Sequence, residues 1–119
     1  MDALTKAKKI AEIADLKKAK DIDLIKIGDL TSITDYFVIL TANSELQVKA
    51  VADEIEFKLK EEGVTPSHIE GYQTAGWVLL DYNDVVCHIF NKESRAFYSL
   101  ERLWQDAERV DISDIIKED

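Results

Sequence analysis

Apolar residues return every three to four positions at the start of the chain. Leu4, Ala7, Ile10, Ala11 and Ala14 line one side of such a repeat, with lysines and acids between them. The spacing predicts an amphipathic helix over residues 2–18. Ile22, Leu24 and Ile27 then sit among polar residues before Gly28, which predicts a strand over residues 23–27. Residues 29–34 are expected to form a turn or a single helical turn. The unbroken run Tyr36-Phe37-Val38-Ile39-Leu40 has the length of a strand buried on both faces. Ser44-Glu45-Leu46-Gln47 has the form of a capping box, and Val48, Val51, Ala52, Ile55 and Leu59 follow as one helical stripe. Gly63 sits where a helix C-cap prefers the left-handed backbone, so a second helix is expected over residues 44–62.

The remainder alternates with the period of strands. Segments 67–72, 76–82 and 84–90 are expected to form three antiparallel strands, the last two joined by a tight turn at Asn83-Asp84. Asn91 is placed to cap a third helix, with Phe97, Leu100, Leu103, Trp104 and Ala107 as its buried stripe. Residues 110–119 carry Ile112, Ile115 and Ile116 and are expected to pack, at a place the pattern does not specify. The expected fold class is α/β: a mixed five-stranded sheet with packed helices, in the order α-β-β-α-β-β-β-α, forming one domain over residues 1–119. If the strands before and after the second helix share the sheet in parallel, their crossover should be right-handed.

A two-residue turn at Asn83-Asp84 also fixes the register of the last hairpin, because strand side chains alternate in direction. Tyr82 then faces Val85, Leu80 faces Cys87 and Val78 faces Ile89. This side is almost wholly aliphatic and needs helices over it. The other side sets Trp77 against Phe90, Leu79 against His88 and Asp81 against Val86. Two readings of that mixed side stand open. It is a second buried face, with His88 satisfied by a neighbour, or it is a partly exposed patch whose aromatic anchors meet a protein partner.

Composition narrows the partner. The chain has 119 residues, 46% of them hydrophobic, which is ample for a core without metal or disulfides. With 15 basic and 24 acidic side chains its formal net charge is −9. Such a surface repels phosphate and favours a basic protein partner. The lysines within 6–9 and 17–20 alternate with apolar residues and read as solvated helix faces, not as a nucleic-acid patch. The first residues contain acids and no long apolar stretch, so neither a signal peptide nor a membrane span is expected, and the protein is expected in the cytoplasm.

Candidate chemistry is sparse. The four glycines, 28, 63, 71 and 76, form no phosphate-binding loop. His68 and Glu70 share one strand face, with His88 and Asp81 as neighbours to consider. Two histidines twenty positions apart are a thin basis for a metal site, which wants three or four close ligands. Cys87 and His88 are adjacent in a strand and point to opposite faces, so they cannot form a nucleophile pair. Cys87 is expected to be a small core residue. No catalytic residue, cofactor or metal is expected.

Beyond these readings, the chain resembles the ribosomal silencing factor (RsfS, Iojap) family. The resemblance lies in Asp35-Tyr36-Phe37-Val38-Ile39, Asn43-Ser44, Gln47-Val48-Lys49-Ala50 and His68-Ile69-Glu70-Gly71. It continues through Gly76-Trp77-Val78-Leu79-Leu80-Asp81-Tyr82, Asp84-Val85-Val86, His88-Ile89-Phe90 and Arg95-x-x-Tyr98-x-Leu100-Glu101-x-Leu103-Trp104. These run in order over about residues 4–107. The resemblance implies a nucleotidyltransferase-like fold without the active site, and no Gly-Ser followed by an Asp-x-Asp pair is present to hold catalytic metal. It also implies binding to the large ribosomal subunit through that subunit's protein fourteen, on the face that meets the small subunit. Joining would be blocked and translation damped when nutrients are short. Homodimers and a role in large-subunit maturation are associated with the family. On these grounds Trp77, Leu79, Asp81, His88, Phe90, Gly71 and Tyr98 are the candidate partner-binding residues. Ala42, Leu46 and Asn83 depart from the usual family residues, and Leu46 removes a charge near the start of the second helix. Two other readings are a nucleotide-handling enzyme, using Glu70, Asp81 and Asp84, and a scaffold that self-associates through the Trp77 face.

Overall fold

The computed structural model describes residues 1–117. Helix α1 (Ala3–Leu16) starts at Asp2, whose carboxylate accepts from the Thr5 N–H at 2.8 Å. Strand β1 (Lys20–Lys26) pairs antiparallel with β2 (Tyr36–Ala42), through an irregularity between Lys20 and Asp23. Helix α2 (Glu45–Glu61) is capped by Ser44, which accepts from the Gln47 N–H. The Gln47 carbonyl does reach back, but to the N–H of Asn43, one residue ahead of the cap, at 2.6 Å. Its amide donates to the carbonyls of Lys17 and Lys18, tying the start of α2 to the end of α1. Gly63 ends the helix at φ +78°, and the Val64 N–H closes on the Leu59 carbonyl.

Strands β3 (His68–Glu70), β4 (Trp77–Asp81) and β5 (Val85–Asn91) form the expected antiparallel meander. Asn83 takes φ +74° in the tight turn, and the hairpin register is the one the alternation dictates, from Trp77 against Phe90 to Asp81 against Val86. The sheet order is β3-β4-β5-β2-β1-β6. Its parallel pair is β2 with β5, so the crossover through α2 joins strands of the same direction that are not neighbours. The sheet has six strands where five were expected. The extra strand, β6 (Glu108–Arg109), is two charged residues long, too short to show alternation, and adds to the edge of β1.

One side of the sheet carries the main core. Val78, Leu80, Tyr82, Val85, Cys87 and Ile89 are buried there with Val38 and Leu40 under α1 and α2. At about 1.5–3 kcal/mol for each large aliphatic side chain removed from water, this side supplies the larger share of the hydrophobic stabilisation. Lys6 of α1 pairs with Asp84 at 2.7 Å and pins the helix over the β4–β5 turn. The C-terminal segment finds its place here too. Ile112 is buried in this core, Val110, Ile115 and Ile116 lean on it, and the Lys117 N–H donates to Asp15 at 2.9 Å. Residues 118 and 119 of the expected tail lie outside the described residues.

The opposite side is thinner. Ile25, Ile27, Ile39, Phe90 and Leu100 are buried, with Phe37, Trp77, Trp104 and Ala107 at their margin. Two short helices replace the single helix expected after Asn91. Asn91 does cap α3 (Lys92–Tyr98), accepting from the Ser94 N–H at 2.8 Å. At Ser99 the backbone turns left-handed (φ 47°, ψ 53°), and α4 (Leu100–Leu103) leaves in a new direction. The break undoes the expected stripe. Leu100 is buried, but Phe97 is 81% and Leu103 73% exposed. Helix α3 lies against β5 and β2 and reaches β4 through Tyr98 on Trp77, leaving the rest of β4 and β3 half-open on this side.

Candidate protein-docking face

Alternation along β4 sends Trp77, Leu79 and Asp81 to the thinner side of the sheet, and all three are half-buried. The facing residues of β5, Val86, His88 and Phe90, form the floor and are buried. The candidates therefore divide. Trp77, Leu79 and Asp81 present surface, and Tyr98 of α3 presents more, but His88 and Phe90 lie beneath them. Those two are buried in the isolated chain.

Trp77 is held on several sides. Its ring stacks on Phe90 with centroids 4.9 Å apart, and Tyr98 leans on it at 4.7 Å. Its indole N–H donates to Nδ1 of His88 at 3.1 Å. An indole nitrogen can only donate, so Nδ1 must be the bare nitrogen, and the imidazole proton belongs on Nε2. Nε2 is buried with no hydrogen-bond partner, and Phe37 packs on the ring nearly at right angles, 4.4 Å away. Burial among these rings pushes the His88 pKa down to about 3, so the ring is neutral at any physiological pH.

Gly71 acts from behind. It takes φ +79°, and a Cβ there would lie 2.0 Å from the Trp77 carbonyl oxygen. Its part in the face is to let the chain pass close behind Trp77. Beside it, Glu70, Gly71, Trp77 and Leu79 line a shallow recess of about 200 Å³. The rim is acidic. His68 Nε2 stands 3.0 Å from Glu70 and 3.5 Å from Asp81.

Sequence reasoning passed over the residue that holds α3 in place. Arg95 donates to Asp23 at 2.9 Å, to Glu101 at 2.6 Å, to Thr41 at 2.9 Å and to the Asp21 carbonyl. It links α3 and α4 to the β1–β2 end of the sheet and so keeps Tyr98 over Trp77. A lone arginine in a helix carries no local signal for such a role, since its partners lie six to seventy-four positions away.

Cys87 and His88 point to opposite sides of β5, as alternation requires. The thiol lies in the aliphatic core, where burial raises its pKa far above the ordinary value. Among the described residues, no group of three or more His, Cys, Asp or Glu side chains is placed to hold a metal ion, and no helix is long and apolar enough to cross a membrane. A roomier recess of about 510 Å³ lies on the α2 side of β3, where the Tyr72 hydroxyl donates to Asp53 at 3.1 Å.

Fold and site together define a small mixed α/β protein with one closed core and one half-open aromatic face edged by carboxylates. Comparison with known proteins places it more closely. The family model described as "Ribosomal silencing factor during starvation" matches residues 1–119, and the chain belongs to that family. It is 42% identical over 102 residues to ribosomal silencing factor RsfS of Halalkalibacterium halodurans, covering 86% of this chain and 87% of that one. It is 43% identical over 105 residues to RsfS of Bacillus subtilis, covering 87% and 89%. The crystal structure of a Chromobacterium violaceum protein superposes with a TM-score of 0.86 at 36% identity, covering 88% of each chain.

Proposed function

We propose that this protein is a non-enzymatic silencing factor that binds the large ribosomal subunit and bars the small subunit from joining it. The observation that carries the reading is the half-open face of β3 and β4. Trp77, Leu79 and Tyr98 supply an apolar anchor there, and Glu70 and Asp81 supply negative charge, in a chain of the silencing-factor family. Interface centres use such aromatic anchors within a polar rim. The net charge of −9 favours direct contact with a basic ribosomal protein, protein fourteen of the large subunit, and keeps rRNA phosphates at the edge. Steric occlusion asks only that dissociation be slow against subunit encounter. Translation then falls when nutrients are limiting. The chain works as one cytoplasmic domain and needs no cofactor. In the free state two copies pair through the same face, extended by the exposed Phe97 and Leu103.

Reassociation of purified subunits, followed by light scattering or sucrose gradients, tests the reading. Added protein should hold the subunits apart in proportion to its occupancy of the large one. Unchanged joining at saturating protein rejects the proposal.

A further inference from the structure

The docking reading makes Trp77 the central contact, and a half-exposed indole on a strand has more than one rotamer open to it. The structure shows what selects one of them. The stack on Phe90 and the lean of Tyr98 constrain the plane of the ring, but neither distinguishes its two edges. The hydrogen bond from the indole N–H to His88 Nδ1 does, because it can form with the nitrogen edge turned to the floor and not with the carbon edge. We propose that His88 is the positioning residue of the docking face: it never touches the partner, and it sets the orientation in which Trp77 meets it. This inference rests on the docking function proposed above.

Three further features fit this role. His88 is only 4% exposed, so it cannot itself be a contact. Its Nε2 is left without a hydrogen-bond partner, an arrangement that a purely structural site would favour replacing with an apolar ring of similar shape. What an apolar ring cannot supply is the acceptor at Nδ1. The ring also stays neutral throughout the physiological range, so the acceptor is always available and the face does not switch with pH.

The test compares His88→Phe, which fills the space without an acceptor, with His88→Asn, whose side-chain oxygen falls close to the position of Nδ1. Two quantities are measured for each: affinity for purified large subunits, and the indole ¹H–¹⁵N resonance of Trp77 with its solvent-exchange rate, assigned by Trp104→Phe. Losing one hydrogen bond's worth of preorganisation weakens binding about tenfold, so His88→Phe should lose about that factor and His88→Asn should stay within about threefold of wild type. The Trp77 indole signal should shift and exchange faster in His88→Phe and be restored in His88→Asn. An unchanged indole signal in His88→Phe overturns the inference, as does a changed signal with unchanged affinity. A His88→Phe chain that fails to fold leaves the decision to His88→Asn, in which a displaced indole signal with full affinity also overturns it. If wild type itself does not bind large subunits, the docking proposal fails, and the indole measurement separately reports whether His88 orients Trp77.

Discussion

Gly63 and Gly71 offer a matched pair of substitutions. Their backbones are almost the same, φ +78° and +79°, but their surroundings are opposite. A methyl group at Gly63 meets nothing within 4 Å, so Gly63→Ala carries only the left-handed backbone penalty, about 1 kcal/mol. At Gly71 the same methyl lands 2.0 Å from the Trp77 carbonyl oxygen, where ordinary contact begins at 3.4 Å. Either the β3–β4 connection or the Trp77 peptide must retreat by more than an ångström. That peptide begins a strand paired with β3 on one side and β5 on the other, so the retreat disturbs a packed region. Adjustments of that kind cost about 1–3 kcal/mol, which brings Gly71→Ala to about 2–4 kcal/mol in all. Thermal unfolding monitored by circular dichroism measures both variants on one scale. For a domain of this size the midpoint temperatures should fall by about 4 °C and by about 8–16 °C respectively. Equal destabilisation of the two variants would mean that the close approach behind Trp77, the one difference between them, costs nothing. If instead the loss is as large as expected, Gly71→Ala should also weaken ribosome binding through the displaced Trp77, while folded Gly63→Ala should not.

Truncating the anchor, Trp77→Ala, should weaken large-subunit binding by about 2–4 kcal/mol in a sedimentation or interferometry assay; a loss of under twofold would place the anchor elsewhere. Charge reversal at the rim, Asp81→Lys, should slow association more than it speeds dissociation, with the difference shrinking as salt is raised in stopped-flow measurements. Arg95→Ala removes a largely buried guanidinium and leaves Asp23 and Glu101 short of a partner, which should cost about 2–4 kcal/mol in denaturant unfolding and increase the mobility of Tyr98. His88 links stability to pH with a definite sign. Its folded pKa of about 3 lies below the unfolded value of 6.5, so between those limits the unfolded chain binds the extra proton. The contribution is complete above pH 6.5 and is lost as pH falls, by about 2 kcal/mol at pH 5. His88→Asn should flatten that part of the stability curve relative to wild type, and parallel curves would contradict the buried, neutral imidazole.

The elements that were legible in the sequence are those whose signals are local. α1 and α2 declare themselves by stripe and cap, and Asn83 by its tolerance of a positive φ in a two-residue turn. The hairpin register then follows from alternation alone. The misreadings fall where distant residues decide. The stripe from Phe97 to Ala107 has helical spacing, but its helix breaks at Ser99, an αL position that serine's local preferences do not announce. The break turns Phe97 and Leu103 outward and sends Leu100 inward. β6 is invisible because two charged residues have no periodicity, and it exists only because β1 offers an open edge and the chain returns beside it.

The docking face shows the same division at finer grain. Alternation correctly put Trp77, Leu79, Asp81, His88 and Phe90 on one side of the hairpin, and that much is geometry of the strand. How deep each residue lies on that side depends on where α3 comes to rest, and this is set by Arg95 reaching Asp23 and Thr41 across the sheet. With α3 over β5, His88 and Phe90 become floor; with β4 covered only at Trp77 by Tyr98, Trp77 and Leu79 stay half-exposed. The same clamp thus builds both the floor and the rim of the candidate docking face from one pair of strands. The buried histidine of the floor and the half-exposed tryptophan above it are, in this fold, two ends of a single hydrogen bond. A substitution at Arg95 should therefore reach the partner by way of Tyr98 and Trp77, without any contact between Arg95 and the ribosome.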